Sequence, residues 1–211
     1  MRVLILDGHP DGDRLTQALL DVYESGLPEE TEIARIAVRD LDFDPNLRRG
    51  YETIQEWEPD LHLIWQAMLA ADHIVLGFPL WWGAEPARLK GLWDRLLLPA
   101  KAFSVDEGAL LPEPMLAGRS VDLVVTMDTP PLLYRLVMRD PLGARMGWQV
   151  LGYCGLDPIR RIYLGRVREG AAGRNMPRWR RRLADAAATA PRLRRRPVAR
   201  RIAAEVQEGV A

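Results

Sequence analysis

The chain has 211 residues, 48% of them hydrophobic, and its 29 basic residues balance 29 acidic ones. This composition is not that of a disordered protein, and the length suffices for one hydrophobic core. The lone Cys154 and the three histidines exclude an internal disulfide and a zinc or iron–sulfur ligand set, so no metal site is predicted. No apolar run approaches the roughly 20 residues that cross a bilayer, and we expect a cytoplasmic protein.

The zero net charge hides a segregation along the chain. Residues 1–173 carry 18 basic and 26 acidic side chains, whereas residues 174–211 carry 11 and 3. We therefore expect a main domain over 1–173 and a basic, helical C-terminal extension over 174–211. That extension is either a solvated helix face or a contact for an anionic surface or a membrane-protein partner, and no nucleic-acid partner is expected.

In chain order, short apolar runs alternate with segments of helical spacing. The predicted strands cover residues 2–6, 31–38, 73–78, 120–126 and 159–164. The predicted helices begin at residue 15, cover 61–71, run from 86 to 97, cover 142–151 and begin again at 177. Strands that alternate with helices predict right-handed crossovers, hence an α/β three-layer sandwich with about five parallel strands.

Ligands of such sheets bind beyond the carboxyl ends of the strands, where the strand order reverses. The first loop there, residues 8–16, opens a helix, whose free N–H groups can hold a phosphate with the help of Arg14 and Thr16. Asp11 and Asp13 would repel a phosphate unless one of them caps the helix. The alternative for this loop is an ordinary capped turn.

The loop after the third predicted strand places Trp81 and Trp82 next to each other. Two indoles on a surface connection can form the wall of a pocket for a planar heteroaromatic ligand. The alternative is that one Trp packs in the core and the other covers a hydrophobic interface.

Three motifs carry a resemblance to a known family: Gly8-His9-Pro10, the stretch 78–83 with 86–95 (FPLWWG and PARLKGLWDR), and 151–155 (LGYCG). Over roughly residues 1–166 the chain resembles the flavodoxin-like NAD(P)H:quinone oxidoreductases. That family includes two-electron quinone reductases, modulator of drug activity B type enzymes and ancillary flavoproteins of potassium efflux systems. The resemblance implies a flavodoxin-like fold and a flavin cofactor, FMN or FAD, of which FMN is slightly preferred.

The resemblance also implies roles for individual residues. Arg14 and Thr16 would hold the phosphate end of the flavin. His9 would lie near the phosphate or the ribityl chain, and the alternative is that this histidine only makes local hydrogen bonds. The flavin ring would lie against Pro79, Leu80, Trp81, Trp82 and Gly83, and its pyrimidine side would meet Thr126, Met127, Asp128 and Thr129. Tyr134 would be the catalytic residue near the site of hydride transfer. Members of the family commonly form homodimers and pass two electrons from NAD(P)H through flavin to a quinone-like acceptor.

The chain departs from the family pattern at three points. Thr126-Met127-Asp128-Thr129 stands where a glycine-rich stretch is usual, and we expect Asp128 to point away from the flavin and to cap its own turn. No histidine follows His73 to assist Tyr134 in proton transfer. Arg14 replaces the usual serine, which leaves the choice between FMN and FAD open.

The leading hypothesis is thus a flavin-dependent NAD(P)H oxidoreductase acting on quinones or similar electrophiles. A second hypothesis is a flavin-binding regulatory subunit of a membrane transporter with little turnover. A one-electron carrier and a non-catalytic binder of planar ligands are lesser alternatives.

Overall fold

The computed structural model describes residues 1–104, 112–168, 170–195 and 197. A parallel sheet contains β1 (Arg2–Asp7), β2 (Glu32–Ala37), β3 (His73–Pro79), β6 (Ser120–Met127) and β7 (Ile159–Gly165). A separate antiparallel pair contains β4 (Phe103–Ser104) and β5 (Glu113–Pro114). The helices are α1 (Leu15–Ser25), α2 (Pro59–Ala70), α3 (Ala87–Leu96), α4 (Pro131–Leu136), α5 (Pro141–Ala144) and α6 (Ala171–Thr189).

The strand order of the sheet is β2-β1-β3-β6-β7. This is the flavodoxin-like order, and it confirms the predicted α/β fold with five parallel strands. The central strands β3 and β6 are buried along their whole length, which explains why apolar residues dominate both in the sequence. The edge strand β2 is mostly exposed.

Side chains of β1 alternate between two cores, one on each face of the sheet. Leu4 and Leu6 belong to the larger core under α2 and α3, whereas Val3 and Ile5 pack with α1 and α6. A period of two places successive side chains on opposite faces, so the helices form one layer on each side.

Helix α6 crosses the boundary that the charge distribution suggested at residue 173. Its residues Trp179, Leu183 and Ala187 are buried in the core beside α1. The helix begins at Ala171 rather than at Pro177, because the burial of this apolar face outweighs the cost of a proline inside a helix. Residues 171–190 therefore pack with the main domain, and the end of the predicted extension, 198–211, lies outside the described residues.

The predicted helix at 142–151 is instead the short α5, continued by a π-helical turn over Arg145–Val150. In the described part of the chain, no helix combines the length and the apolar character of a transmembrane span.

Candidate functional site

The strand order reverses between β1 and β3, and the loops that leave these two strands meet at that point. Strand β1 ends at Asp7, whose buried carboxylate accepts the N–H of His9 at 3.0 Å. Gly8 then donates its N–H to the carbonyl of Gly77 in β3 at 2.7 Å. A Cβ on Gly8 would lie 2.5 Å from Leu89, so only glycine fits where the loop leaves the sheet.

The start of α1 has unsatisfied backbone donors. Arg14 occupies the N-cap position, and no side chain caps the helix. The first N–H groups of a helix lack intrahelical acceptors, and the helix dipole favours an anion there. The Arg14 guanidinium binds the carboxylate of Asp11, with its Nε 2.7 Å from Oδ2, and this hydrogen bond lowers the pKa of Asp11. Thr16, at the second position of the helix, has a buried side chain.

The loop after β3 is a tight turn with Trp82 at its tip. Trp81 donates its N–H to the carbonyl of Ala84 at 2.9 Å, and Ala84 donates back at 3.0 Å. Trp82 and Gly83 both have positive φ, 52° and 81°, as in a type I′ turn. This backbone region is unfavourable for a bulky residue, and the Trp82 side chain is fully exposed.

The two loops and β6 are in contact. The rings of His9 and Trp81 lie edge to face with centroids 5.8 Å apart. Leu80, half-buried, donates its N–H to the carbonyl of Thr126 at 2.8 Å, and Pro79 is paired with Thr126 in the sheet register. The structure therefore brings together the first loop, the Trp turn and the end of β6, as the sequence predicted.

At the end of β6, Thr126 and Met127 have buried side chains, and Thr129 is half-buried. The exposed carboxylate of Asp128 accepts from Nε of Arg168 at 3.0 Å. Asp128 is therefore held by an arginine beyond β7, whereas a local cap of its own turn was expected.

Tyr134 lies in the core rather than at the open edge of the sheet. Its side chain is 3% exposed, and its hydroxyl accepts the N–H of Leu142 at 3.1 Å. Its ring packs edge to face on Tyr163 at 5.4 Å, and burial raises its pKa. The structure does not place this hydroxyl where a substrate can reach it, because the short α4 turns its tyrosine inward and its leucines outward.

Four charged residues that support these loops were not singled out in the sequence. Asp7 accepts from Arg39 at 2.6 Å, and the buried Glu85 pairs with Arg145 of the π-helical turn. Oε1 of Glu85 has no hydrogen-bond partner among the described residues. The position of Asp7 at the end of an apolar strand could have indicated a role at the site. Nothing local in the sequence marks its partner Arg39, which is distant along the chain.

Arg145 also lines a cleft of about 460 Å³ between α3 and the π-helical turn, next to Trp93 and Cys154. Burial raises the pKa of the Cys154 thiol to about 12. The thiol therefore stays protonated at neutral pH and packs as an apolar group.

A parallel sheet of this strand order, with a helix start at its switch point, is the architecture of the flavodoxin-like proteins. The chain belongs to this family: the family described as having a flavodoxin-like fold matches it over residues 1–186. The match includes most of α6, which the three sequence motifs alone had left outside.

One curated relative of this chain carries the name of an NAD(P)H oxidoreductase. The chain is 27% identical over 101 residues to an uncharacterized NAD(P)H oxidoreductase, YcaK, of Escherichia coli (strain K12). That alignment covers 45% of this chain and 52% of YcaK, so the match spans about half the length of this curated relative. The resemblance found in the sequence motifs is thus confirmed at the level of the family.

Solved structures share the fold. Smu.1420 from Streptococcus mutans UA159 superposes with a TM-score of 0.74 at 22% identity, covering 90% of this chain and 100% of that one. An NAD(P)H:quinone oxidoreductase from Methanothermobacter marburgensis gives 0.70 at 19% identity, covering 90% and 96%. An FMN-dependent NADH-azoreductase from Bacillus anthracis str. Ames Ancestor gives 0.68 at 15% identity, covering 89% and 97%.

Proposed function

We propose that this protein is a flavin-dependent NAD(P)H oxidoreductase that transfers two electrons from NAD(P)H to a quinone or a similar electrophile. The observation that carries the proposal is the Trp82 turn beside the first loop at the switch point of the sheet. An indole that is fully exposed on a strained turn is costly for a free surface, and such strain is typical of a functional site. A planar ligand seated against it would remove the apolar surface from water.

The residues at this point fit a flavin with one phosphate. The uncapped start of α1 would hold the phosphate through its N–H groups, with Arg14 beside it. Trp81 and Trp82 would lie along the ring system, and the backbone of 126–129 would meet its polar edge. One helix start and one arginine favour FMN over FAD. When bound, a flavin supplies the two-electron chemistry between a pyridine nucleotide and the acceptor.

The chain supplies orientation rather than a proton donor. Tyr134 is sealed in the core, so a proton that the acceptor needs would come from solvent at the open edge of the sheet. Arg168 compensates the charge of Asp128, so the departure from the family pattern at this position does not oppose an anionic ligand.

The names of the relatives support the choice of substrates. The matched protein of Escherichia coli is called an NAD(P)H oxidoreductase, and similar structures are called a quinone oxidoreductase and an FMN-dependent azoreductase. We therefore assign NAD(P)H as the electron donor and a quinone-like molecule as the acceptor, and we propose a homodimer as the assembly.

The test is the visible absorption spectrum of the purified protein with FMN and then FAD. Anaerobic NADH or NADPH should bleach the bound flavin, and a simple quinone should restore the colour. If flavin binds but neither NADH nor NADPH bleaches it, the proposed oxidoreductase activity is wrong, and the result supports a regulatory flavoprotein. The absence of flavin binding would overturn the proposed site itself.

A matched pair of variants locates the flavin. Trp82→Ala should weaken FMN binding by about tenfold or more, as expected for the loss of a buried aromatic contact. Trp148→Ala removes an indole of similar exposure from the π-helical turn and should leave FMN affinity unchanged. Equal losses in the two variants would contradict the location at the Trp82 turn.

A further inference from the structure

Helix α4 and the residues after it present large apolar side chains to solvent. Leu132 and Leu136 are each 70% exposed, Val137 is 69% exposed and Met138 is 51% exposed. Soluble proteins rarely leave contiguous large apolar side chains uncovered unless the patch binds something. Nothing in the described residues covers this patch.

Arginines border the apolar patch along the edge of β7. Arg135 of α4 donates to the carbonyl of Arg161 at 3.0 Å, and Arg182 of α6 donates to the carbonyl of Tyr163 at 2.9 Å. Burial lowers the pKa of Arg182, and the charges of Arg135 and Arg178 lower it further. Arg182 also donates to the carbonyl of Arg161, at 3.4 Å, so the guanidinium groups of Arg135 and Arg182 lie side by side on one acceptor.

Two acidic side chains beside this border are already engaged. Asp140 binds Nη1 of Arg161 at 2.8 Å, and Asp128 binds Arg168. Among the described residues, no carboxylate forms an ion pair with Arg135, Arg178 or Arg182. The edge therefore carries a surplus of positive charge next to exposed apolar side chains.

We propose that α4, the edge of β7 and the middle of α6, around Arg178 and Arg182, form a surface that docks on an anionic phospholipid bilayer. The apolar side chains of α4 enter the boundary between headgroups and acyl chains, and the guanidinium groups bind lipid phosphates. This combination is the one by which peripheral proteins bind anionic membranes. Arginine suits the phosphates because its planar fork donates two hydrogen bonds at once.

The charge pattern favours a bilayer over a second copy of the chain. A twofold contact places the same patch on both sides, so the contact would contain the surplus arginines of both copies. A phospholipid surface instead supplies phosphates for the arginines and acyl chains for the leucines.

The docking surface adjoins the proposed flavin site along the chain. Helix α4 follows directly after residues 126–129, at the carboxyl edge of the sheet. Docking there would hold that edge near the membrane, where quinones that dissolve in lipid are found. The docking itself depends on the surface alone, so it can fail or succeed independently of flavin binding.

The experiment is sedimentation of the full chain with vesicles in low salt. We expect binding to vesicles of phosphatidylglycerol and phosphatidylcholine in equal parts, and none to phosphatidylcholine alone. Arg178→Gln should lower the partition coefficient about fivefold, and Leu132→Ser with Leu136→Ser should lower it about tenfold or more. All three positions are exposed, and circular dichroism would verify that the variants fold.

Matched controls carry the same changes elsewhere on the surface. Ile54→Ser and Arg49→Gln alter exposed residues far from α4 in sequence and should bind as the wild type does. Binding that is lost equally in the controls, or that is absent for both kinds of vesicle, would overturn the proposal. A change of dimer mass in the α4 variant without vesicle binding by the wild type would assign the patch to self-association instead.

Discussion

Arg39 donates to the buried carboxylate of Asp7 across 2.6 Å, joining the turn after β2 to the end of β1. The other carboxylate oxygen of Asp7 accepts the N–H of His9. The buried side chain of Asp7 thus holds the start of the first loop in place, where the proposed phosphate site begins.

Replacing Asp7 by Asn should lower the free energy of unfolding by about 2–4 kcal/mol. The change leaves a largely buried guanidinium without its ion pair and weakens the support of the first loop. Urea unfolding measures the loss, and FMN affinity should fall with it. Asp40→Asn, at an exposed carboxylate 3.8 Å from the same arginine, should cost well under 1 kcal/mol.

Trp82→Gly should make the protein more stable and its flavin binding weaker. Glycine adopts a positive φ without steric cost, so the free energy of unfolding should rise by about 1 kcal/mol in thermal or urea unfolding. The loss of the indole should reduce FMN affinity in a titration followed by flavin fluorescence. A variant less stable than the wild type would show that the turn is not strained by its tryptophan.

Tyr134→Phe should lower stability by about 1 kcal/mol and leave the rate of flavin reduction by NAD(P)H unchanged. The substitution removes the hydroxyl that accepts from the Leu142 N–H, in a place that substrates do not reach. Stopped-flow reduction of the bound flavin measures the rate. A large fall of that rate in a folded variant would restore the tyrosine to the catalytic role first expected for it.

A buried polar network predicts loss of stability in acid. Asp122 accepts from the Tyr23 hydroxyl at 2.7 Å and from Nε of Arg160 at 2.6 Å. Burial raises the pKa of Asp122, but the His73 ring, 3.7 Å away, and hydrogen bonds from Arg160 and Tyr23 outweigh burial, so its net pKa is lowered. The unfolded chain therefore takes up the proton first as the pH falls.

The contribution of Asp122 to the free energy of unfolding should accordingly be constant above about pH 5 and decrease below it. Asp122→Asn should lower stability at neutral pH and flatten the acid dependence, when unfolding is followed in urea at several pH values. An unchanged slope in the variant would assign the acid sensitivity to other carboxylates.

The strands could be predicted because the centre of a parallel sheet is buried on both faces. The run from Ile74 to Phe78 carries no polar side chain, and such runs have few alternatives to a central strand. The meeting of the Trp loop with the first loop followed from the strand order alone, since parallel strands bring their carboxyl ends to one edge.

Other features of the site depend on tertiary packing and leave no local signal. The positive φ of Trp82 opposes the preference of tryptophan, so the sequence indicates a loop there but not this turn. On α4 the leucines face solvent and Tyr134 faces the core, the reverse of what apolar periodicity predicts. The pairing of Glu85 with Arg145 joins residues far apart in the chain.

The contacts of Arg135 and Arg182 with β7 have a consequence for solubility. Strand β7 is the last strand on its side of the sheet, and a bare edge there would offer carbonyl oxygens to a strand from another molecule. Two guanidinium groups occupy the carbonyls of Arg161 and Tyr163 and place bulky positive charge along the edge. The same arginines therefore protect the chain against edge-to-edge aggregation.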